Sequence, residues 1–157
     1  MKHTIQALVE NKFGVLARVS SLFSARGYNI DSLAVGETQD AKVSCMTIVV
    51  NAEDERILEQ IKKQLHKLID VITVVDFMHK EYVSRELILT KVSKNKNNKD
   101  KIGKLVKKHN LKIISEGKNN YILEICDEFH RAEEILKELK NVGIKELMRT
   151  GRLAMGK

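Results

Sequence analysis

The chain has 157 residues and a net charge of +7, with 28 Lys+Arg against 21 Asp+Glu; that length fits one medium domain or two small ones. An apolar content of 43% excludes a mainly disordered chain, and no run of about 18 apolar residues occurs that would cross a membrane as a helix. No apolar leader follows Met1, and two cysteines without a CxxC make no disulfide framework, so the expected location is the cytoplasm.

Taken in chain order, residues 3–10 alternate as a strand does, and Val15, Leu16, Val19, Leu22 and Phe23 then recur at helical spacing. Residues 28–36 and 43–50 read as two further strands, the second β-branched and mostly apolar. Glu53, Asp54 and Glu55 place negative charge where a helix dipole favours it. Ile57, Leu58, Ile61, Leu65, Leu68 and Ile69 form that helix's apolar stripe, and residues 71–78 make a fourth strand. The order is βαββαβ.

The second half repeats it. A strand over 86–93 leads through an Asn/Lys-rich loop to a helix with Ile102, Leu105 and Val106. A hairpin turns at Gly117-Lys118-Asn119, a last helix carries Ala132, Ile135, Leu136, Leu139 and Val142, and residues 144–149 close with a strand. The expected fold class is α+β. It consists of two ferredoxin-like βαββαβ sandwiches in tandem, each an antiparallel four-stranded sheet with two helices on one face. The expected domains are 1–79 and 84–157. Units this small have open sheet edges and modest cores, so oligomerisation is a physical expectation. The whole basic excess falls after residue 80, a hint that the two units meet different partners.

Catalysis finds little support. No GxSxG, HExxH, GxGxxG or GxxxxGK[ST] occurs. Cys45 and Cys126 lie in apolar strand runs and read as small buried hydrophobes. His3 and His79 can approach across the first and fourth strands, but a metal there would lack its third and fourth ligands.

The segment that stands out is ENKFGVL, residues 10–16, between the first strand and the first helix. A helix N-terminus exposes unpaired N–H groups and a partial positive charge, which suit a carboxylate. Gly14 allows close approach to the backbone. Asn11 can donate and accept, as the two head groups of an amino acid require. Asn29, opening the second strand, is read as a second amide facing the same rim. Composition and spacing alone favour a plain turn, with Asn11 as turn or cap residue, Gly14 as turn glycine and Asn29 as strand entry.

The stretch 94–108 holds seven lysines against Asp100. On a βαββαβ unit this raises an RNA-binding module, which stacks bases on aromatics of its central strands. Those strands offer only Tyr121, so no nucleic-acid partner is expected and a solvated lysine face is the simpler reading.

At these residues the chain resembles the small, regulatory subunits of acetohydroxyacid synthase (acetolactate synthase). ENKFGVLARVSSLFSARGYNIDSLAVG at 10–36 is the most specific block, continued by SCMTIVV at 44–50 and LEQIKKQLHKLIDV at 58–71. RELILTKV at 85–92 and RTGRLAM at 149–155 resemble the family's C-terminal domain. The resemblance implies an ACT domain over 1–79, a C-terminal ferredoxin-like domain over 84–157 and no active site in this chain. It implies a catalytic large subunit that holds thiamine diphosphate, Mg and FAD and condenses two pyruvates, or pyruvate with 2-oxobutyrate. The small subunit would activate that enzyme and confer feedback inhibition by a branched-chain amino acid, usually valine, bound where two ACT domains pair as a homodimer. The effector contacts it implies fall on Asn11, Phe13, Gly14, Val15, Leu16, Asn29 and Ile30. A stand-alone amino-acid-sensing ACT protein is the alternative. Phe13 stands where the family commonly has Pro, which leaves the loop less rigid and puts a ring at the mouth of the site.

Overall fold

The structure, a computed structural model, describes residues 2–52 and 54–157. Glu53, read from the sequence as part of the acidic helix start, lies outside the described residues. Among those described, the elements run β1 (Lys2–Glu10), α1 (Val15–Ser24), β2 (Ile30–Glu37), β3 (Val43–Asn51), α2 (Glu55–Leu65), β4 (Val71–Asp76) and β5 (Tyr82–Ser93). They continue α3 (Lys99–His109), β6 (Lys112–Glu116), β7 (Asn120–Asp127), α4 (Phe129–Lys140), β8 (Ile144–Arg149) and β9 (Leu153–Gly156). The chain divides into two compact units: Met1–Val83 with Arg152–Lys157, and Ser84–Gly151.

In the first unit the strand order is β2-β3-β1-β4, antiparallel throughout. Alternation puts Ile5, Ala7 and Val9 of β1 on the same face as Met46, Ile48 and Val50 of β3. Against that face α1 lays Val15, Val19, Leu22 and Phe23, and α2 lays Leu58, Ile61 and Leu65, each set at helical spacing. Asp54 caps α2, its carboxylate accepting the Ile57 N–H at 3.0 Å. Helix α1 has no side-chain cap and starts instead from Gly14 at φ +80°. Any residue with a Cβ pays about 1–2 kcal/mol for that conformation.

The sheet's other face is covered by the end of the chain. Arg152 N–H donates to Ser32 Oγ at 2.9 Å, its Nη1 to Thr4 Oγ1 at 2.9 Å, and Gln6 Nε2 donates to the Ala154 carbonyl at 3.1 Å. Thr4, Thr47 and Val49 are buried as a result. The sequence predicts a last strand over 144–149, and the structure adds β9 after it, paired with β5. β9 was missed because four residues are too few to display alternation.

The second sheet repeats the topology as β6-β7-β5-β8, and β9 pairs with β5 as a fifth strand where four were expected. Ile88 and Val92 of β5 with Tyr121, Leu123 and Ile125 of β7 face Ile102 of α3 and Ala132, Ile135, Leu136 and Leu139 of α4. Buried Asn98 ties three segments together: its Nδ2 donates to Ser93 O at 2.8 Å and Val142 O at 3.0 Å, while its Oδ1 accepts the Asn95 N–H at 2.8 Å. Buried Glu86 forms a two-pronged pair with Arg149, at 2.8 and 2.6 Å, and Glu133 takes a third guanidinium nitrogen at 2.7 Å. Burial works against the arginine's charge, but the Glu86 hydrogen bonds lead the opposing effects and raise its pKa.

The cysteines differ from expectation. Cys126 is exposed, because its strand position opposite Leu87 faces away from the helices. Cys45 is half-buried, its Sγ accepting from Gln6 Nε2 at 3.3 Å.

Candidate functional site

The β1–α1 connection is built by three neighbours. Asn11 N–H donates to Lys42 O at 2.7 Å, and its side-chain Nδ2 donates to Glu37 Oε1 at 3.0 Å and Ala41 O at 2.9 Å. The β2–β3 hairpin therefore buttresses the loop. On its other side Glu10 N–H donates to Asp70 O at 2.8 Å. The Asp70 carboxylate pairs with Arg18 at 2.7 Å, one turn into α1. Lys12 pairs with Glu10 at 2.7 Å, and that hydrogen bond, then the charge, holds its ammonium above the ordinary lysine range.

The first intrahelical bond of α1 is Arg18 N–H to Gly14 O at 3.0 Å. The N–H groups of Leu16 and Ala17 precede it and point out of the helix start, as first-turn donors do. Around them Phe13 is fully exposed, and Leu16 is 44% exposed. Val15 is different: its side chain is buried in the core, so only its backbone can face a ligand. A carboxylate suits the N–H groups, an apolar group suits Phe13 and Leu16, and the Asn11 Oδ1 can accept from an ammonium.

Asn29 and Ile30 are elsewhere. β2 runs parallel to β1, with Ile30 opposite Val50 and Glu37 opposite Ser44, while Lys2 lies opposite Asn51 and Glu10 opposite Val43. Asn29 therefore sits at the Lys2 end of the sheet and Asn11 at the Glu10 end. The length of β2 separates them, about 23 Å at 3.3 Å per residue. The expectation that both amides face one rim of one chain is corrected: within a single chain they cannot share a ligand. Asn29 Nδ2 donates locally to Asp31 Oδ1 at 2.8 Å, and Asp31 pairs with Lys2 at 3.2 Å. Ile30 is half-buried against the core.

Sequence reasoning missed Glu37, Ala41, Arg18 and Asp70, which support the loop. They lie up to some 60 positions away and carry no local motif. Ile69, expected on the apolar stripe of the second helix, lies beyond the end of α2 and is 96% exposed. His3 is buried on β1, whereas His79 lies beyond β4, exposed, with Nε2 3.6 Å from Glu55. Among the described residues no three His, Cys, Asp or Glu side chains gather as metal ligands would.

A tandem of antiparallel α+β units of the ferredoxin-like, ACT type defines the class of protein. Comparison with known proteins narrows this. Residues 5–73 match the AHAS small subunit-like ACT domain and residues 85–157 the small subunit of acetolactate synthase. The probable acetolactate synthase small subunit of Archaeoglobus fulgidus is 42% identical over 99% of this chain and 96% of its own length. The Mycolicibacterium smegmatis acetolactate synthase small subunit is 43% identical over 99% and 91%. The crystal structure of the Thermotoga maritima acetolactate synthase small subunit superposes with a TM-score of 0.90 at 34% identity, covering 100% of this chain and 98% of that one. The chain belongs to the family of acetolactate synthase small subunits.

Proposed function

We propose that this chain activates a catalytic acetohydroxyacid synthase large subunit and makes it sensitive to valine, in the biosynthesis of branched-chain amino acids. Valine binds between two ACT units, and the site comprises Asn11, Phe13, Gly14, Val15 and Leu16 from one chain with Asn29 and Ile30 from the other. The observation that carries this reading is the position of the two amides at opposite ends of β2. β2 is an edge strand, paired on one side with β3. If two copies join antiparallel through β2 about a two-fold axis, the start of one β2 lies beside the end of the other. Asn29 of one chain then approaches the Asn11 loop of its partner, twice per dimer.

In that site the valine carboxylate accepts from the Leu16 and Ala17 N–H groups. Its ammonium donates to the Asn11 and Asn29 carbonyl oxygens. The isopropyl group packs on Leu16, Ile30 and the Phe13 ring. A ligand held by two chains favours one dimer arrangement, and only such differential affinity can move a coupled enzyme. Couplings of this kind are typically about 1–3 kcal/mol. Thiamine diphosphate, Mg and FAD belong to the large subunit in this reading, and chemistry occurs there. The place of action is the cytoplasm.

The test is reconstitution: the purified chain is mixed with the large subunit from the same source, and acetolactate formation is followed with and without valine. Activation with inhibition is expected. Activation without inhibition would refute the effector site and keep the partner. No activation would favour a stand-alone amino-acid sensor.

A further inference from the structure

Three carboxylates support the β1–α1 loop, and two of them have a counter-ion. Glu10 pairs with Lys12 at 2.7 Å, and Asp70 with Arg18 at 2.7 Å. The third is Glu37, exposed at the end of β2. Its Oε1 accepts from Asn11 Nδ2 at 3.0 Å. Among the described residues no lysine, arginine or histidine pairs with Glu37, and its Oε2 accepts no hydrogen bond.

A count of donors and acceptors gives this oxygen a use. The Asn11 amide spends both N–H bonds, on Glu37 Oε1 and on Ala41 O, so its Oδ1 is the atom left for a ligand. An ammonium brings three N–H donors. The Asn11 and Asn29 oxygens accept two of them, and both are neutral. A cation leaving water needs an opposite charge as well as hydrogen bonds. Glu37 is the last residue of β2, so the antiparallel join through β2 sets it beside the partner's Asn29 and Ile30. Asp31, which the same join brings close, already pairs with Lys2 at 3.2 Å. The helix start supplies a partial positive charge and Glu37 a full negative one, the two poles that a zwitterion matches.

We propose that Glu37 accepts the third N–H of the effector's ammonium and is the residue that selects an α-amino acid over the 2-oxo acid with the same side chain. The proposal rests on the effector site described above and adds to it a specificity determinant. A 2-oxo acid offers the helix start the same carboxylate and the same apolar group. At the other pole it places an oxygen against three acceptors, with no hydrogen to share and a negative charge nearby. Rejection of this kind comes from acceptors left unpaired and like charges brought together.

The experiment titrates the full chain with L-valine and, by displacement, with 3-methyl-2-oxobutanoate. The wild type is compared with Glu37→Gln and, as a control, Asp40→Asn. Glutamine keeps the shape of Glu37 and an oxygen that accepts from Asn11, so the support of the loop survives. Asp40→Asn removes a carboxylate from the same hairpin, one that accepts from the Lys42 N–H rather than from Asn11. The wild type is expected to favour valine by about tenfold or more. Glu37→Gln is expected to bind valine about tenfold or more weakly and the 2-oxo acid more tightly than the wild type does, so that the preference collapses. Asp40→Asn is expected to match the wild type. An unchanged preference in Glu37→Gln, or a parallel loss of both ligands, overturns the role of Glu37 and leaves the effector site standing. An equal collapse in Asp40→Asn overturns it too, because net charge and not position would then decide. A wild type that binds no valine overturns the effector site and this proposal with it.

Discussion

Asn11→Ala and Asn29→Ala, used as a pair, test whether the effector site is shared between chains. Each amide oxygen is assigned one hydrogen bond from an ammonium. Hydrogen bonds to charged groups contribute about 1.5–3 kcal/mol, so each variant alone should bind valine roughly 10- to 150-fold more weakly. Neither should unfold. Asn11→Ala loses two exposed bonds, to Glu37 and Ala41, and Asn29→Ala one, to Asp31. Such bonds each contribute about 1 kcal/mol to stability. The two variants are then mixed in equal amounts and their subunits exchanged. In a heterodimer one site carries both lesions and the other carries neither. Random exchange makes half the dimers mixed, so about a quarter of all sites should regain wild-type affinity in a two-fold dimer. Titration calorimetry would read this directly as tight-site stoichiometry. If both amides served a ligand within one chain, mixing would restore nothing. A mixture that shows no tight sites would therefore refute the shared site, and with it the argument from β2.

Other expectations follow from single contacts. Gly14→Asp forces a Cβ into φ +80°, 3.1 Å from the movable end of Arg18, at a cost of about 1–2 kcal/mol; the chain should still fold and activate but ignore valine, and wild-type inhibition would sink the helix-start assignment. Asn98→Ala strands two carbonyls and an N–H in the second unit, and should cost about 2–4 kcal/mol. Calorimetry should find the melting temperature lower by on the order of 10 °C or more, and a shift of a degree or two would contradict the three-way tie. Burial raises the Asp76 carboxyl, but Lys62's hydrogen bond and charge, helped by the Met78 N–H, outweigh it and hold it below 3.8. The depressed value means stability that is fully present above 3.8 and lost as pH falls through the folded value. The wild type's advantage over Lys62→Met in urea melts should vanish in that acid range; a gap that stays constant with pH would disprove the coupling.

Much of this architecture is written in local pattern. The alternation of Ile5, Ala7 and Val9 and the helical spacing of Leu58, Ile61 and Leu65 identify buried faces without any neighbour in view. The repeated βαββαβ order then leaves few topologies. The ENKFGVL segment marked a helix start fit for a carboxylate, because the helix's own unpaired N–H groups create that preference. Phe13, Gly14 and Leu16 do lie together there. Long-range pairing decided the rest. Whether Asn29 shares a rim with Asn11 depends on β2 running parallel to β1, two strands away, and no residue near either amide encodes that direction. Asp70 became the support of the loop because β4 returns beside β1, 60 residues after Glu10. Cys126 fell on the open face by the parity of its register with Leu87. The last residues pair with β5 as β9 and hydrogen-bond to Thr4, Gln6 and Ser32, and local sequence records which residues can bond but not which ones the fold brings within reach.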